Sequence, residues 1–250
     1  MTINEFQKIM KEINFIRKNS NYTATSNTVG LRQITVYENR LNNIRLDWCK
    51  QITDIILRYF KNDANICIND LGCNYFQLYK ELKFRKLRFN YFGYDIDKKF
   101  IAIGLSKFQE LHNKFKIINL ENKKPRKTDI SVLSATLEHS NNPLKLLNNS
   151  LETTKKLFLL RTWVGDDSKV ELMKNSKFVN HPYFINQFSH KLIMEQFFKH
   201  RFIPTFIPDL ATNHSKKYEV FKNTGIKRQF FIIVGEKVNK NFKHVSPKPN

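Results

Sequence analysis

The feature that most constrains the fold is the alternation of strand-like and helix-like segments between Ile66 and Gly165. The strand-like segments read "ICIND", "FNYFGYDID", "FKIINLE", "DISVLSATLEH" and "KKLFLLRTWVG". The intervening helical segments read "YFQLYKELKF", "KKFIAIGLSKFQELH" and "PLKLLNNSLETT". Strands that alternate with helices of about 10–15 residues predict βαβ units and a mostly parallel sheet with helices on both faces.

The flanking segments differ from this pattern. Residues 1–20 and 36–60 carry apolar residues at helical spacing, so we expect residues 1–60 to form an N-terminal helical cap. Residues 61–240 are expected to form the α/β domain, with a closing strand in "RQFFIIVGEKV", and residues 241–250 a flexible tail. The segment "DDSKVELMKNSKFVNHPYFINQF" after Gly165 is expected to be irregular.

Composition and charge limit the class of protein. The chain has 250 residues, of which 41% are hydrophobic, which argues against global disorder. No apolar stretch approaches the roughly 20 residues that span a bilayer. The three cysteines form no CxxC pair, so we expect a cytoplasmic protein without a zinc site. The net charge of +21 indicates either an acidic partner, such as nucleic acid, or a general lysine-rich composition.

The first strand ends in "NDLGCN", which places a carboxylate and a glycine at a sheet edge where ligands bind in open α/β folds. Gly72 permits a close backbone approach or a left-handed turn. The carboxylate of Asp70 disfavours a pyrophosphate and favours a cationic ligand. The chain also lacks G-x-G-x-x-G and the P-loop pattern, which argues against dinucleotide and P-loop sites.

The second strand ends in "GYDID", which places Asp95 25 residues after Asp70. This distance is about one βαβ unit. A carboxylate at this point can accept hydrogen bonds from a ribose diol.

The series "DLGC", "GYDID", "DISVLSATLEHSNNPLKLL" and "KKLFLLRTWVG" resembles the motifs of class I S-adenosylmethionine-dependent methyltransferases. The resemblance covers about residues 66–165 and implies a Rossmann-like, mostly parallel seven-stranded sheet in which "RQFFIIVGEKV" is the antiparallel strand. The first motif of that family usually reads D-x-G-x-G. Asn74 stands at the second glycine, and asparagine is the residue after glycine that best tolerates a left-handed conformation.

The resemblance also implies a set of site residues for S-adenosylmethionine. It places Asp70 and Gly72 along the methionine and ribose with Asn74 in the same loop, Asp95 at the ribose hydroxyls, Ile96 against the adenine, Asn119 and Leu120 at the adenine edge, and Ser134 near the methyl group. Arg40 or Arg45 is expected to reach the cofactor carboxylate.

A hydroxyl acceptor often requires a general base, most commonly histidine. His139 follows the fourth strand and is the first candidate, with Glu138 beside it. His181, in "NHPYF" with Tyr183, is the second candidate. Arg161 lies at the end of the fifth strand. We expect it either to bind an anionic substrate or to be buried and paired with an acid such as Asp166.

The acceptor is predicted from the segment "HPYFINQFSHKLIMEQFFKHRF". It resembles the segment before the sixth strand in methyltransferases of sugars and secondary metabolites, with Arg201 in place of a glycine. We therefore expect O-methylation of a saccharide or other small metabolite, with a phosphorylated acceptor as one option. Two alternatives stay open. The charge and the turn "NKKPRK" favour an RNA methyltransferase, and the altered glycine loop allows a non-catalytic methyltransferase-like subunit.

Overall fold

The alternating segments form one central sheet in the computed structural model, which describes residues 4, 7–8, 11, 37–42, 44–60, 65–173, 183–213, 220–221 and 224–238. The strands are β1 (Ile66–Leu71), β2 (Phe89–Asp95), β3 (Phe115–Ile117), β4 (Thr128–Ser134), β5 (Thr154–Gly165), β6 (Lys169–Met173), β7 (Tyr183–Ser189), β8 (Phe202–Pro208), β9 (Val220–Phe221), β10 (Ile226–Lys227) and β11 (Phe230–Lys237).

Seven of these strands run in the order β3-β2-β1-β4-β5-β11-β8. Pairing is parallel from β3 to β5, whereas β11 is antiparallel to both β5 and β8. The predicted seven-stranded sheet with one antiparallel strand in "RQFFIIVGEKV" is therefore confirmed. The carboxyl ends of the parallel strands β1, β2 and β4 lie along one edge of the sheet, and this edge positions the site described below.

Helices cover both faces of the sheet. They are α1 (Asp47–Tyr59), α2 (Gln77–Phe84), α3 (Lys98–Lys107), α4 (Pro143–Glu152), α5 (His190–Lys199) and α6 (Leu210–Asn213). One hydrophobic core takes residues from α1, α2 and α3 with the inner side chains of the strands, and a second takes residues from α4 and α5. Successive residues of β5, such as Leu157 and Phe158, enter opposite cores, as the two-residue period of a strand requires.

Local sequence explains where the helices begin. The Asp97 side chain accepts from the backbone N–H of Lys99 at the start of α3. Asn142 caps α4 and Ser189 caps α5 in the same way. Residue 201 follows α5 with a φ of 64°, so Arg201 does hold the left-handed conformation for which a glycine was expected.

Two expectations about secondary structure are wrong. The described part of the segment after Gly165 is not irregular, because β6 and β7 form an antiparallel pair and β7 pairs in parallel with the end of β5. The alternation in "KVELM" was obscured by its many charged neighbours. The predicted helix over residues 36–60 is interrupted, with helical residues 37–42 separated from α1 by residues 44–46, which are not helical.

No described helix is long and apolar enough to cross a membrane.

Candidate ligand site at the strand ends

The loop between β1 and α2 holds three left-handed residues at alternate positions. The φ angles are 76° at Gly72, 52° at Asn74 and 64° at Phe76. The expectation that Asn74 adopts this conformation is confirmed. The third position was not anticipated, because a phenylalanine carries no sequence signal for positive φ.

Hydrogen bonds to the end of β2 fix this loop. The backbone N–H groups of Gly72 and Cys73 both donate to the carbonyl of Tyr94, at 2.8 and 2.9 Å. The N–H of Asn74 donates to Oδ2 of Asp95 at 2.7 Å, and the N–H of Asp97 donates to Oδ1 at 2.9 Å. Asp95 therefore organises the loop in addition to facing the crevice.

Packing explains how Phe76 is accommodated in a left-handed conformation. Its side chain is fully buried, and its ring lies against two glycines. A Cβ atom added to Gly104 would lie 2.4 Å from Phe76 Cδ2, and one added to Gly93 would lie 3.0 Å from Phe76 Cε1. The glycines provide the space for the ring. Burial of an aromatic ring contributes about 2–3 kcal/mol, which offsets a left-handed cost of about 1–2 kcal/mol.

The end of β4 approaches the loop closely at Gly72. A Cβ atom at this position would lie 2.1 Å from Thr136 Oγ1. Only a residue without a side chain allows this contact. The turn after β4, residues 134–136, and the loop after β1 thus enclose one crevice at the edge of the sheet.

The crevice contains two carboxyl groups, the buried Asp70 and the half-buried Asp95. The hydroxyl of Tyr91 donates to Asp70 Oδ2 at 2.6 Å. Burial raises the pKa of Asp70 to about 7, against the opposing effect of this hydrogen bond. Burial also raises the pKa of Asp95 to about 6, although two backbone N–H groups oppose the shift. A cationic ligand would stabilise the ionised form of both groups.

Glu138 lies at the neighbouring strand end and is fully buried. Its Oε2 accepts a hydrogen bond from the Thr162 hydroxyl at 3.0 Å. Burial raises the pKa of this carboxyl group. The Asn186 side chain donates to the backbone carbonyls of Glu138 and Ser140 and so fixes the turn that carries Glu138.

His139 is exposed and lies beside Glu138 at the end of this turn. Its ring packs edge-on against Trp163, with ring centroids 5.6 Å apart. Its Nδ1 lies 3.4 Å from the carbonyl oxygen of Phe184. When Nδ1 donates to this carbonyl, Nε2 is the nitrogen that carries the lone pair.

Four buried polar atoms around these strand ends have no hydrogen-bond partner among the described residues. They are Asn74 Oδ1, Ser134 Oγ, Glu138 Oε1 and Trp163 Nε1. A buried polar group without a partner costs about 1–3 kcal/mol, so most such groups are satisfied in folded proteins. Their position at the carboxyl ends of β1, β4 and β5 indicates a site built for a polar ligand.

The remaining residues that the sequence suggested for the adenine end differ in their surroundings. Ile96 follows β2 and is 66% exposed, which offers an apolar surface beside the crevice. Asn119 Oδ1 accepts from the backbone N–H of Glu121. The side chain of Leu120 packs in the second core, so it is directed away from an adenine at the crevice. His181 and the side chain of Tyr183 lie outside the described residues.

Two of the arginines suggested by the sequence, Arg161 and Arg45, form ion pairs within the chain. Arg161 pairs with the buried Asp209, at 2.7 and 3.1 Å, and not with Asp166 as the sequence suggested. The guanidinium also lies 3.8 Å from the centre of the Phe230 ring. Arg45 makes a two-pronged ion pair with Glu81, at 2.6 and 2.8 Å. Of the two arginines considered for a cofactor carboxylate, Arg40 therefore remains the better candidate.

Sequence comparison identifies no relative. No protein-family model matches the chain, and no curated protein matches it in sequence.

Structural comparison, in contrast, finds many similar chains. An S-adenosylmethionine-dependent methyltransferase from Clostridium acetobutylicum has a TM-score of 0.56 and 12% identity, over 83% of this chain and 98% of that chain. The Synechocystis magnesium protoporphyrin IX methyltransferase with bound S-adenosylmethionine has a TM-score of 0.54 and 13% identity, over 91% and 97%.

A third similar structure contains both a substrate and a cofactor product. It is the Burkholderia thailandensis 1,6-didemethyltoxoflavin-N1-methyltransferase with 1,6-didemethyltoxoflavin and S-adenosylhomocysteine, with a TM-score of 0.55 and 10% identity over 96% of this chain and 92% of that chain. At these identities the likeness establishes the fold, which is that of the class I methyltransferases.

Proposed function

We propose that this protein is an S-adenosylmethionine-dependent methyltransferase that O-methylates a saccharide or another small metabolite. The observation that carries the proposal is the group of partnerless buried atoms at the ends of β1, β4 and β5, beside the carboxyl groups of Asp70 and Asp95. Fold alone does not define function, so the argument rests on this site. The similar structures with bound S-adenosylmethionine or S-adenosylhomocysteine support the cofactor part of this assignment.

The residues of the crevice fit this cofactor. Each oxygen of Asp95 accepts one N–H, and a carboxylate oxygen can accept a second hydrogen bond, which leaves capacity for the ribose hydroxyls. Exposed Ile96 would contact the adenine, and Asp70 would face the cationic methionine portion. When bound, S-adenosylmethionine supplies an electrophilic methyl group. The chain's own task is to hold the acceptor in line with it and to remove a proton.

His139 and Glu138 are proposed as the groups that handle this proton. With Nδ1 directed at the Phe184 carbonyl, Nε2 of His139 can accept the proton of an acceptor hydroxyl. The neighbouring carboxylate of Glu138 would stabilise the imidazolium that forms. His181 remains a second proposed base, from a segment outside the described residues.

The N-terminal region is proposed to cover the cofactor. Its described part places Tyr37 against Tyr75 in the loop after β1, with ring centroids 4.9 Å apart. We also propose a cytoplasmic location, which the free thiols of Cys49, Cys67 and Cys73 support because a reducing compartment keeps cysteines unpaired.

Thermal unfolding with and without S-adenosylhomocysteine tests the cofactor site. A ligand at about 100 times its dissociation constant adds roughly 2.7 kcal/mol of stability, which should raise the midpoint by about 5–10 °C. In Asp95→Ala the shift should disappear, while Asp129→Ala, a carboxylate at the opposite end of the sheet, should keep it. No shift in the wild-type protein at saturating ligand would favour a non-catalytic role.

Turnover then tests the acceptor. Sugars, sugar nucleotides and single-stranded RNA should be offered separately with S-adenosylmethionine, and the formation of S-adenosylhomocysteine should be measured. Turnover with a hydroxylated small molecule supports the proposal. Turnover confined to RNA would replace the proposed acceptor with a nucleic acid.

A further inference from the structure

A cleft of about 320 Å³ lies at the end of β2 that is opposite the proposed cofactor site. It is bordered by the outer face of α2, the start of β2 and the turn before β3. Its lining residues are Tyr79, Lys83, Lys86, Leu87, Phe89, Asn90, Tyr91, Glu110, Leu111 and Lys114. One lining residue, Tyr91, also contacts the proposed methyl-transfer site, because its hydroxyl donates to Asp70.

The cleft exists because β3 is short. This strand pairs with β2 only from Gly93 onward, through the pairs Gly93–Phe115 to Asp95–Ile117. The first residues of β2, from Phe89 to Tyr91, therefore border the cleft where a longer β3 would have covered them. Space and polar backbone are thus available at this edge of the sheet.

The charge of the cleft is positive. Lys83 forms an ion pair with Glu110, whose carboxylate also accepts a hydrogen bond from the Tyr79 hydroxyl at 3.1 Å. Lys86 and Lys114 are exposed, and neither has a carboxylate within ion-pair distance in the described part of the chain. The cleft thus has two ammonium groups whose charge is not balanced locally.

Aromatic rings form the apolar wall of the cleft. The Tyr79 ring packs against Phe89 and Phe108, with centroids 5.9 and 5.3 Å apart. Tyr79 and Phe89 are partly exposed. Rigid aromatic side chains beside basic groups are the combination with which proteins bind single nucleotides and single-stranded nucleic acid, because bases stack on rings and phosphates pair with cations.

We propose that this cleft binds a nucleotide unit, with its phosphate at Lys86 and Lys114 and its base at the Tyr79–Phe89 wall. Its volume lies at the lower end of the range of about 300–1,000 Å³ that small-molecule sites occupy. The nucleotide unit is either free or part of a single-stranded RNA. The assignment is independent of the proposed methyl transfer, since neither Lys86 and Lys114 nor the Tyr79–Phe89 wall belongs to that site.

Fluorescence anisotropy with a labelled ten-nucleotide RNA, together with calorimetry using AMP and inorganic phosphate, tests the proposal. The test variant is Lys86→Asn with Lys114→Gln, because asparagine accepts the left-handed φ of 54° at residue 86. The matched control is Lys145→Gln with Lys191→Gln, which removes the same charge from exposed positions on α4 and α5. The thermal shift with S-adenosylhomocysteine, measured in all variants, reports separately on the cofactor site.

We expect the test variant to bind AMP or the RNA at least tenfold more weakly than the wild-type protein, and the control variant to stay within twofold. For the RNA, the slope of log affinity against log salt should fall by about 1.4, the value for two lost phosphate contacts on a single strand. Binding of AMP without the RNA identifies a free nucleotide, and binding of the RNA identifies a strand.

Three results would overturn the proposal. Equal weakening in both double variants would show that only the overall charge matters. Inorganic phosphate that binds as tightly as AMP would remove the role of the aromatic wall. Absence of binding by both AMP and the RNA would exclude a nucleotide site.

Discussion

Asp95 and Glu138 both lie just beyond strands of the same sheet, yet their surroundings differ. Both oxygens of Asp95 accept backbone N–H groups, from Asn74 and Asp97. Among the described residues, only one oxygen of Glu138 has a partner, the hydroxyl of Thr162, although Glu138 is the more deeply buried residue. The backbone of the loop after β1 is thus held by the protein itself, although Asn74 Oδ1 in this loop, like Ser134 Oγ and Glu138 Oε1 at the end of β4, has no partner among the described residues.

This difference separates two contributions to one site. The loop after β1 obtains its shape from internal contacts, so it is organised before any ligand arrives. The turn after β4 carries groups whose hydrogen bonds a ligand would have to supply. Substitutions in the first region should therefore act mainly on stability, and substitutions in the second mainly on turnover.

The largest effect should come from Phe76→Ala. Removing a fully buried ring from between Gly93 and Gly104 leaves a cavity, and such changes cost about 3–5 kcal/mol of unfolding free energy. Urea denaturation measures this loss. Phe198→Ala, which removes a ring that is about half exposed on α5, is the control and should change stability by less than about 1 kcal/mol. Similar losses in the two variants would contradict the packing argument.

The second effect concerns pH. Because the pKa of Asp70 is raised to about 7 in the folded protein, the native state binds more protons than the unfolded state between about pH 4 and pH 7. The contribution of Asp70 to stability should therefore fall as pH rises through this window, by about 1.4 kcal/mol per unit, and level off above pH 7.

Urea denaturation at pH 5 and pH 7 should show a smaller decline in Asp70→Asn than in the wild-type protein. The residual decline would come from Asp95, whose pKa is raised to about 6. If the variant retains the full wild-type dependence, Asp70 is not the group that titrates.

The third effect should appear in turnover without a change in stability. His139→Gln removes the proposed base from an exposed position and should lower kcat about 100-fold, at the lower end of the usual contribution of a general base. The dissociation constant of S-adenosylhomocysteine should stay within twofold, as calorimetry would show. Full activity in this variant would exclude His139 as the base and direct attention to His181.

The smallest effect is expected in the stability of two matched variants, Asp95→Asn and Glu138→Gln, which test the difference between the two carboxyl groups directly. Asp95→Asn turns an acceptor into a donor opposite a backbone N–H and should cost about 1–3 kcal/mol of stability. Glu138→Gln replaces a buried carboxylate that has an unpartnered oxygen, and should leave stability unchanged or higher at pH 8. Equal losses in the two variants would mean that the two carboxyl groups are equally integrated into the fold.

The alternation of strands and helices could be predicted from sequence because local periodicity determines it, and the seven-stranded sheet with its antiparallel strand followed from the family resemblance. The positions of Asp70, Gly72 and Asn74 could also be predicted, since each lies in a short segment whose backbone conformation follows from residue type. The partners of Arg161 and Glu138 could not be predicted. Asp209 lies 48 residues from Arg161 and Thr162 lies 24 from Glu138, and such pairings depend on how elements pack.

The left-handed conformation of Phe76 could not be predicted for the same reason. Its left-handed conformation is tolerated only because glycines occupy positions 93 and 104, on two other elements. The strand β6 was missed because charged residues obscured a short alternation. Both cases show contacts between elements overriding local preference.

The arrangement of Phe76 between two glycines also restricts the order in which this loop can change. A chain with a small residue at position 76 could accept the phenylalanine only once positions 93 and 104 were already free of side chains. With the ring in place, neither glycine can gain a side chain without a collision. The three positions therefore form one epistatic unit. Engineering that places a small residue at 76 should therefore change position 104 in the same step, because the first change alone leaves a void and the second alone produces a clash.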